Sequence, residues 1–362
     1  MKKIILDNDR FQVYRQDGKL LGFEKKHVVY TGQEEVFIQE IKPDIIQSMK
    51  NGFNRINAET VFEKGDYAAI KINLGGGIHG VLSSYTDPDL VKELVIKLRE
   101  IGVVPFICEA DMRGHEINQE LLRARGYLDF LIDMKIPFLN LSKIKQVLFK
   151  FRGIKKRISI PFALLKPNVK IISFPCPKHH WECGITVSQK NMYGAIGDYR
   201  KSRFHRKYEL IDHVVAAAAR IMKPDLCIVG TKQVGAGLGP HFCIPINFYR
   251  VIFGKDMLSV DKFCSEILGY PIDLVLYQKI NAQNNQIDYK ILPGSAKISE
   301  DVLKKIYENR IPPEEVQKDK GILWAQYFIP SSLQFKYYRY LEGILTWMNH
   351  KFYVPKGDKL VF

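Results

Sequence analysis

DYAAIKINLGGG, residues 66–77, decides how the chain is read. From Tyr67 to Ile72 it is apolar except for Lys71, as a buried strand is, and three glycines follow. TDPDLVKELVIKLREIG, residues 86–102, comes next. Thr86 or Asp87 can cap a helix there and Pro88 suits its first turn. Leu90, Leu94, Ile96, Leu98 and Ile101 give it an apolar face. VVPFICEAD, residues 103–111, is a second apolar strand. Strand, glycine loop, helix and strand in that order make a βαβ unit, which requires a parallel pairing.

The pattern extends in both directions. Residues 11–30 alternate around Asp17-Gly18 and predict a β-hairpin, and residues 34–50 a short helix ending at Asn51-Gly52. Helix signals return at 117–134. VKIISFPCP (169–177) and DLCIVG (225–230) predict strands, and residues 207–223 and 257–268 predict helices. Residues 143–157 hold seven Lys or Arg among β-prone residues. They fit a solvated edge hairpin guarded by lysines, or a strip facing an anion. Past residue 292 a helix-turn-helix pattern leads into an aromatic tail, 321–362. The expected class is α/β: a largely parallel sheet with helices on both faces, an N-terminal β-hairpin and a C-terminal α-helical and aromatic cap. The expected division is residues 1–60 packed on the core, 61–292 as the main α/β domain and 293–362 as the cap.

Composition narrows the function classes. The chain has 362 residues, 46% hydrophobic and 26% charged, enough for a sizeable core and unlike a disordered chain. Its 54 Lys and Arg exceed its 39 Asp and Glu, a net +15. That surplus favours an anionic partner: a small carboxylate or phosphate, a nucleic acid or a membrane surface. No recognised nucleic-acid motif accompanies the charge, and no apolar run approaches the roughly 20 residues of a membrane span. The start, MKKIILDNDRF, is too briefly apolar for a signal peptide, and six scattered cysteines read as reduced thiols of a cytoplasmic protein. With no CxxC pair, a zinc ribbon or built-in iron–sulfur motif is not expected.

Ligands of open parallel sheets bind at the carboxyl ends of strands. Four polar or glycine-rich segments fall there: 71–80, 109–115, 178–197 and 230–240. The glycines of GGG and of GAGLGP, among them Gly75, Gly76, Gly237 and Gly239, can bring backbone N–H groups close to an anion, or simply make tight turns. KHHWECGITVSQKNMYG (178–194) is the densest in chemistry. Lys178 and Lys190 can hold a carboxylate or phosphate as point charges, and Asn191 can orient a substrate oxygen. His180 can act as acid or base, or with Cys183 as a ligand of a divalent metal; one of His79, His115, His205 or His241 would then complete the set. Adjacent histidines on a strand point to opposite sides, so His179 and His180 do not share a site. Glu109 ends its strand as an acid–base or metal candidate, and Asp256 can cap the helix after it.

These pieces together resemble the domain-of-unknown-function family 362, in order across most of residues 66–270. The resemblance rests on IKINLGGG (Lys71, Asn73), the TDP helix (Asp87) and KHHWECGITVSQKNMYG (Lys178, His180, Thr186, Lys190, Asn191, Gly194). FHRK (His205), GAGLGP (Gly237, Gly239, Pro240) and GKDMLSVDKFCSEILG (Asp256, Asp261) complete it. It implies a cytoplasmic α/β protein with its site on those residues. Where relatives often carry carboxylates this chain has Gly230 and Ala236, and it lacks the cysteine-rich ferredoxin-like module of many relatives.

The expected function is a metabolic or biosynthetic enzyme acting on an anionic small molecule. His180, Lys190, Lys178 and Glu109 are the catalytic candidates. Lys71, Asn73, Gly75, Gly76, Asn191, Thr186, His205, Gly237 and Gly239 are the binding candidates. Two alternatives stand beside it: a metal-binding redox enzyme or accessory factor using His180 and Cys183 with an external electron donor, and a basic nucleic-acid-binding protein.

Overall fold

The structure, a computed structural model, describes residues 2–75, 82–112, 116–198, 201–205, 210–240 and 242–311. Gly76, His79, His115, His241 and the aromatic tail lie outside the described residues. Three strands open the chain: β1 (Lys3–Asp7), β2 (Phe11–Gln16) and β3 (Lys19–Glu24). β4 (Glu35–Glu40), α1 (Ile45–Arg55), β5 (Tyr67–Ile72), α2 (Pro88–Glu100) and β6 (Val104–Glu109) follow. Then come α3 (Gln119–Ala124), α4 (Leu128–Asp133), β7 (Phe138–Asn140), β8 (Gln146–Lys150), β9 (Ile158–Pro161) and β10 (Val169–Phe174). β11 (Lys178–His180), β12 (Gly184–Thr186), α5 (Ser188–Gly194) and α6 (Leu210–Ile221) lead to two long strands, β13 (Leu226–Leu238) and β14 (Phe242–Gly254). α7 (Met257–Ile267), α8 (Leu276–Ala282), β15 (Lys290–Ile291) and α9 (Glu300–Glu308) complete the described chain.

The βαβ unit forms as its sequence requires. Asp87 caps α2 by accepting from the Asp89 N–H, Pro88 is its first residue, and β5 pairs parallel with β6. The parallel set runs β13-β10-β5-β6-β7, with β5 at its centre. The sheet as a whole is mixed rather than largely parallel, because β13 and β14 form a long antiparallel ribbon and β4 joins its far side antiparallel. DLCIVG therefore does not stop at Gly230. The strand continues through the glycine segment to Leu238, held by a β14 that the apolar pattern did not reveal.

Residues 34–50 also depart from expectation: Glu35–Glu40 is a strand and the helix starts at Ile45. Val36, Phe37 and Ile38 are β-prone, β14 offers them an open edge, and Pro43 separates the two elements.

Helices cover both faces of the ten-stranded sheet. Leu90, Leu94, Phe53 and Leu128 pack with Ile70 and Ile72 on the side of α1–α4. Met192, Val214, Val260 and Tyr277 pack on the side of α5–α8. The N-terminal hairpin is part of a second sheet, in order β1-β2-β3-β8-β9, with β3 parallel to β8. Phe11, Val13, Val147 and Phe149 turn inward, joining the core of α5–α8. The basic stretch 143–157 holds β8 and the turn leading to edge strand β9. Lys150, Arg152, Lys155 and Lys156 are exposed, as lysines guarding an edge would be.

Candidate functional site

Three strand ends and one short helix meet at the carboxyl edge of the parallel set. Their first product is a closed polar cluster. Lys71, on β5, has no exposed surface. Its Nζ lies 2.7 Å from Glu109 Oε1 at the end of β6 and donates to the Ile72 carbonyl and Asn191 Oδ1. Asn191 Nδ2 donates to the Lys71 carbonyl and to Ser173 Oγ, so the amide ties α5 to β5 and β10. Glu109 also accepts from the backbone N–H groups of Leu74 and Ala110. Gly194 makes the cluster fit, since a Cβ there would lie 2.8 Å from Lys71 Nζ. Lys71, Glu109 and Asn191 thus hold one another.

The second product is also buried, but its lysines lack the carboxylate that Lys71 has. β11 and β12 form a tight hairpin with Lys178 opposite Thr186 and His180 opposite Gly184, so Lys178, His180 and Thr186 share one face of the ribbon. Lys178 Nζ donates to Asn73 Oδ1 at 2.7 Å and to the Ser84 carbonyl, with no carboxylate partner. Burial, with Lys190 nearby, pushes this ammonium below its ordinary value. Lys190 is 7% exposed, and among the described residues its Nζ makes no hydrogen bond or ion pair; it lies over the Tyr193 ring, 5.6 Å from the centroid. Thr186 Oγ1 is buried without a hydrogen-bond partner. His180 Nδ1 accepts from the Glu182 and Cys183 N–H groups, which leaves the proton of the neutral ring on Nε2. Two cations with no ion-paired carboxylate among the described residues and the Thr186 hydroxyl make a donor-rich set.

Behind this face lies a relay that the sequence reading did not pick out. Glu182 Oε2 is 2.5 Å from His205 Nδ1, His205 Nε2 is 3.1 Å from the Tyr193 hydroxyl, and that hydroxyl is 3.3 Å from the Lys201 carbonyl. Lys201 donates to the Gly194 carbonyl, and burial lowers it to about 8. Glu182 and Tyr193 stood inside the quoted motif; the signal for them was a carboxylate and a phenol beside two lysines. Only the hairpin turn and α5 show that both reach His205.

Other candidates have structural partners. His179 points to the opposite face, donates to the Leu268 carbonyl and accepts from the Gly237 N–H, and burial lowers it to about 4. Gly237 therefore spends its N–H on His179, and a Cβ on Gly239 would lie 2.1 Å from the His179 carbonyl. These glycines let two backbones approach closely. Gly75, at φ +66°, donates to Asn73 Oδ1. Asp256 caps α7, and Asp261 accepts from the Ser188 and Gln189 N–H groups at the start of α5. Burial raises the Cys183 thiol well above its ordinary value, and His180 Nδ1 is occupied by two backbone N–H groups. Among the described residues no group of three or more His, Cys, Asp or Glu is placed to hold a metal ion. Among them, too, no helix is long and apolar enough to cross a membrane.

The chain is 22% identical over 216 residues to the Thylakoid-associated protein sll1697 of Synechocystis sp., a match covering 56% of this chain and 63% of that protein. The chain thus spans less than two thirds of that relative's length. The model of the family "Domain of unknown function (DUF362)" matches residues 68–266, from β5 to α7 and through every polar cluster described above, and the chain belongs to that family.

Proposed function

We propose that the protein is a metabolic or biosynthetic enzyme that binds a small carboxylate or phosphate at the Lys178–Lys190 face. One observation carries this reading: the Lys190 ammonium is held under cover, beside a second buried lysine, and among the described residues neither is ion-paired to a carboxylate. Burying like charges without counter-charge is unfavourable, and an anionic ligand removes that cost. The Thr186 hydroxyl fits such a ligand as a further donor. Because His180 Nδ1 already accepts two backbone hydrogen bonds, His180 suits an anchoring role better than that of a base. The acid–base role passes more naturally to His205, oriented by Glu182 and joined to Tyr193.

Calorimetric titration of the full chain with inorganic phosphate and with citrate tests this. Binding lost in Lys190→Met, with an unchanged melting temperature, supports the reading; equal binding by wild type and variant sinks it. A cytoplasmic location accords with a small soluble substrate. The name of the thylakoid-associated relative suggests a membrane surface instead, which co-sedimentation with anionic vesicles would reveal.

A further inference from the structure

The opposite end of the ten-stranded sheet holds a second polar site, with no residue in common with the first. A cavity of about 420 Å³ opens there, where the β1–β2 turn of the small sheet meets the amino end of β13. Arg10, Lys223 and Lys255 line it together with Asp9, Asp225 and Gln33. The charged groups are held apart. Among the described residues none of the three cations is within ion-pair distance of a carboxylate, although Asp225 acts on Arg10 and Lys223 at longer range, and the Lys223 and Lys255 ammonium groups make no hydrogen bond. Arg10 uses one donor, on the Ile221 carbonyl at 3.3 Å, and Asp225 accepts the Ile171 N–H at 2.7 Å. Burial lowers both Arg10 and Lys223, consistent with cations in a poorly hydrated space.

The volume lies within the roughly 300–1,000 Å³ usual for small-molecule sites. The walls are mainly polar, so an apolar ligand would leave them unpaired. Three cations against two carboxylates leave one positive charge in excess. The unpaired ammonium groups and the guanidinium suit a phosphate, for which Arg supplies a planar fork and Lys a point charge. Asp9 and Asp225 provide acceptors for hydroxyl groups. We propose that this cavity binds a phosphorylated polyol or sugar, its phosphate on Arg10, Lys223 and Lys255 and its hydroxyls on the two aspartates.

Calorimetry of the full chain with glucose 6-phosphate, glucose and inorganic phosphate tests it. Wild type should bind glucose 6-phosphate and not glucose. Arg10→Gln with Lys223→Gln should weaken binding by about tenfold or more, a loss of about 1.4 kcal/mol. Lys255→Gln, at the rim, gives the same direction should the double variant fold poorly. Asp9→Asn should weaken glucose 6-phosphate more than inorganic phosphate, and the glucose 6-phosphate binding that the cation variants lose should persist in Lys190→Met. The proposal is overturned by no binding to wild type at millimolar ligand or by undiminished binding in both cation variants. It is likewise overturned by loss in Lys190→Met alone, which would place the ligand at the first site. Equal affinity for glucose 6-phosphate and inorganic phosphate would reduce the cavity to a general anion attractor and remove the polyol assignment.

Discussion

Lys71 and Lys190 occur in similar short motifs, yet the structure gives them opposite roles, and Lys71→Met measures the difference. The Lys71 ammonium is fully enclosed and neutralised by Glu109 at 2.7 Å. Methionine fills similar space but leaves the Glu109 carboxylate buried with the Leu74 and Ala110 N–H groups, at 3.4 and 2.9 Å, as its hydrogen-bond donors, and the more distant Lys201 and Lys178 as its cations. Removing one partner of a buried pair costs about 3–5 kcal/mol, most of it from the stranded charge. At about 2.1 cal/mol/K per residue over 362 residues, the melting entropy is about 0.8 kcal/mol/K, so the loss is about 4–6 °C in melting temperature. Glu109→Gln removes the stranded charge, so Lys71→Met with Glu109→Gln should recover part of the loss, with a coupling of about 1–3 kcal/mol. Differential scanning calorimetry of the four proteins gives both numbers. A single variant melting within about 1 °C of wild type would refute the closed pair. A double variant as unstable as the sum of the singles would refute the coupling.

Lys190→Met should leave melting within about 1 °C of wild type, since the contact of its ammonium is a distant one with the Tyr193 ring, while phosphate binding at the first site is lost. Gly194→Ala should destabilise by about 1–3 kcal/mol in urea unfolding, because its Cβ would crowd Lys71 Nζ at 2.8 Å and Glu109 Oε1 at 3.1 Å. His179 is held neutral, its folded value lowered to about 4 from 6.5. Its stability contribution is therefore complete above pH 6.5 and lost as pH falls toward 4, on the order of 3 kcal/mol. His179→Gln can keep the bonds to Leu268 and Gly237 without titrating, so unfolding measured between pH 4 and 6.5 should lose that slope; an unchanged slope would assign it to other groups.

How far the residues alone carried the fold depends on how local each interaction is. The βαβ unit was legible because strand, cap, proline and apolar face all lie within residues 66–111, each expressing its own short-range preference. KHHWECGITVSQKN was legible as a polar segment at the end of a buried strand, and the structure buries its side chains, tying His179 and Asn191 to neighbouring backbone. The same letters did not separate Lys71 from Lys190. Enclosure is a property of the neighbours, and the neighbour that matters, Glu109, reaches Lys71 because β5 and β6 run side by side. β4 read as helix and the glycine segment as loop because strand character there comes from pairing with β14, a partner distant from β4 in the chain. The second sheet joins β3 to β8 across more than a hundred residues, and the relay from Glu182 through His205 to Tyr193 closes only when a hairpin turn, a helix and a further segment converge. The sequence by itself determined the α/β class, the βαβ unit and the segment that bears the candidate site. Tertiary structure alone decided which lysine is paired with a buried carboxylate and which is not, since burial and partnership depend on contacts between segments that no local pattern encodes.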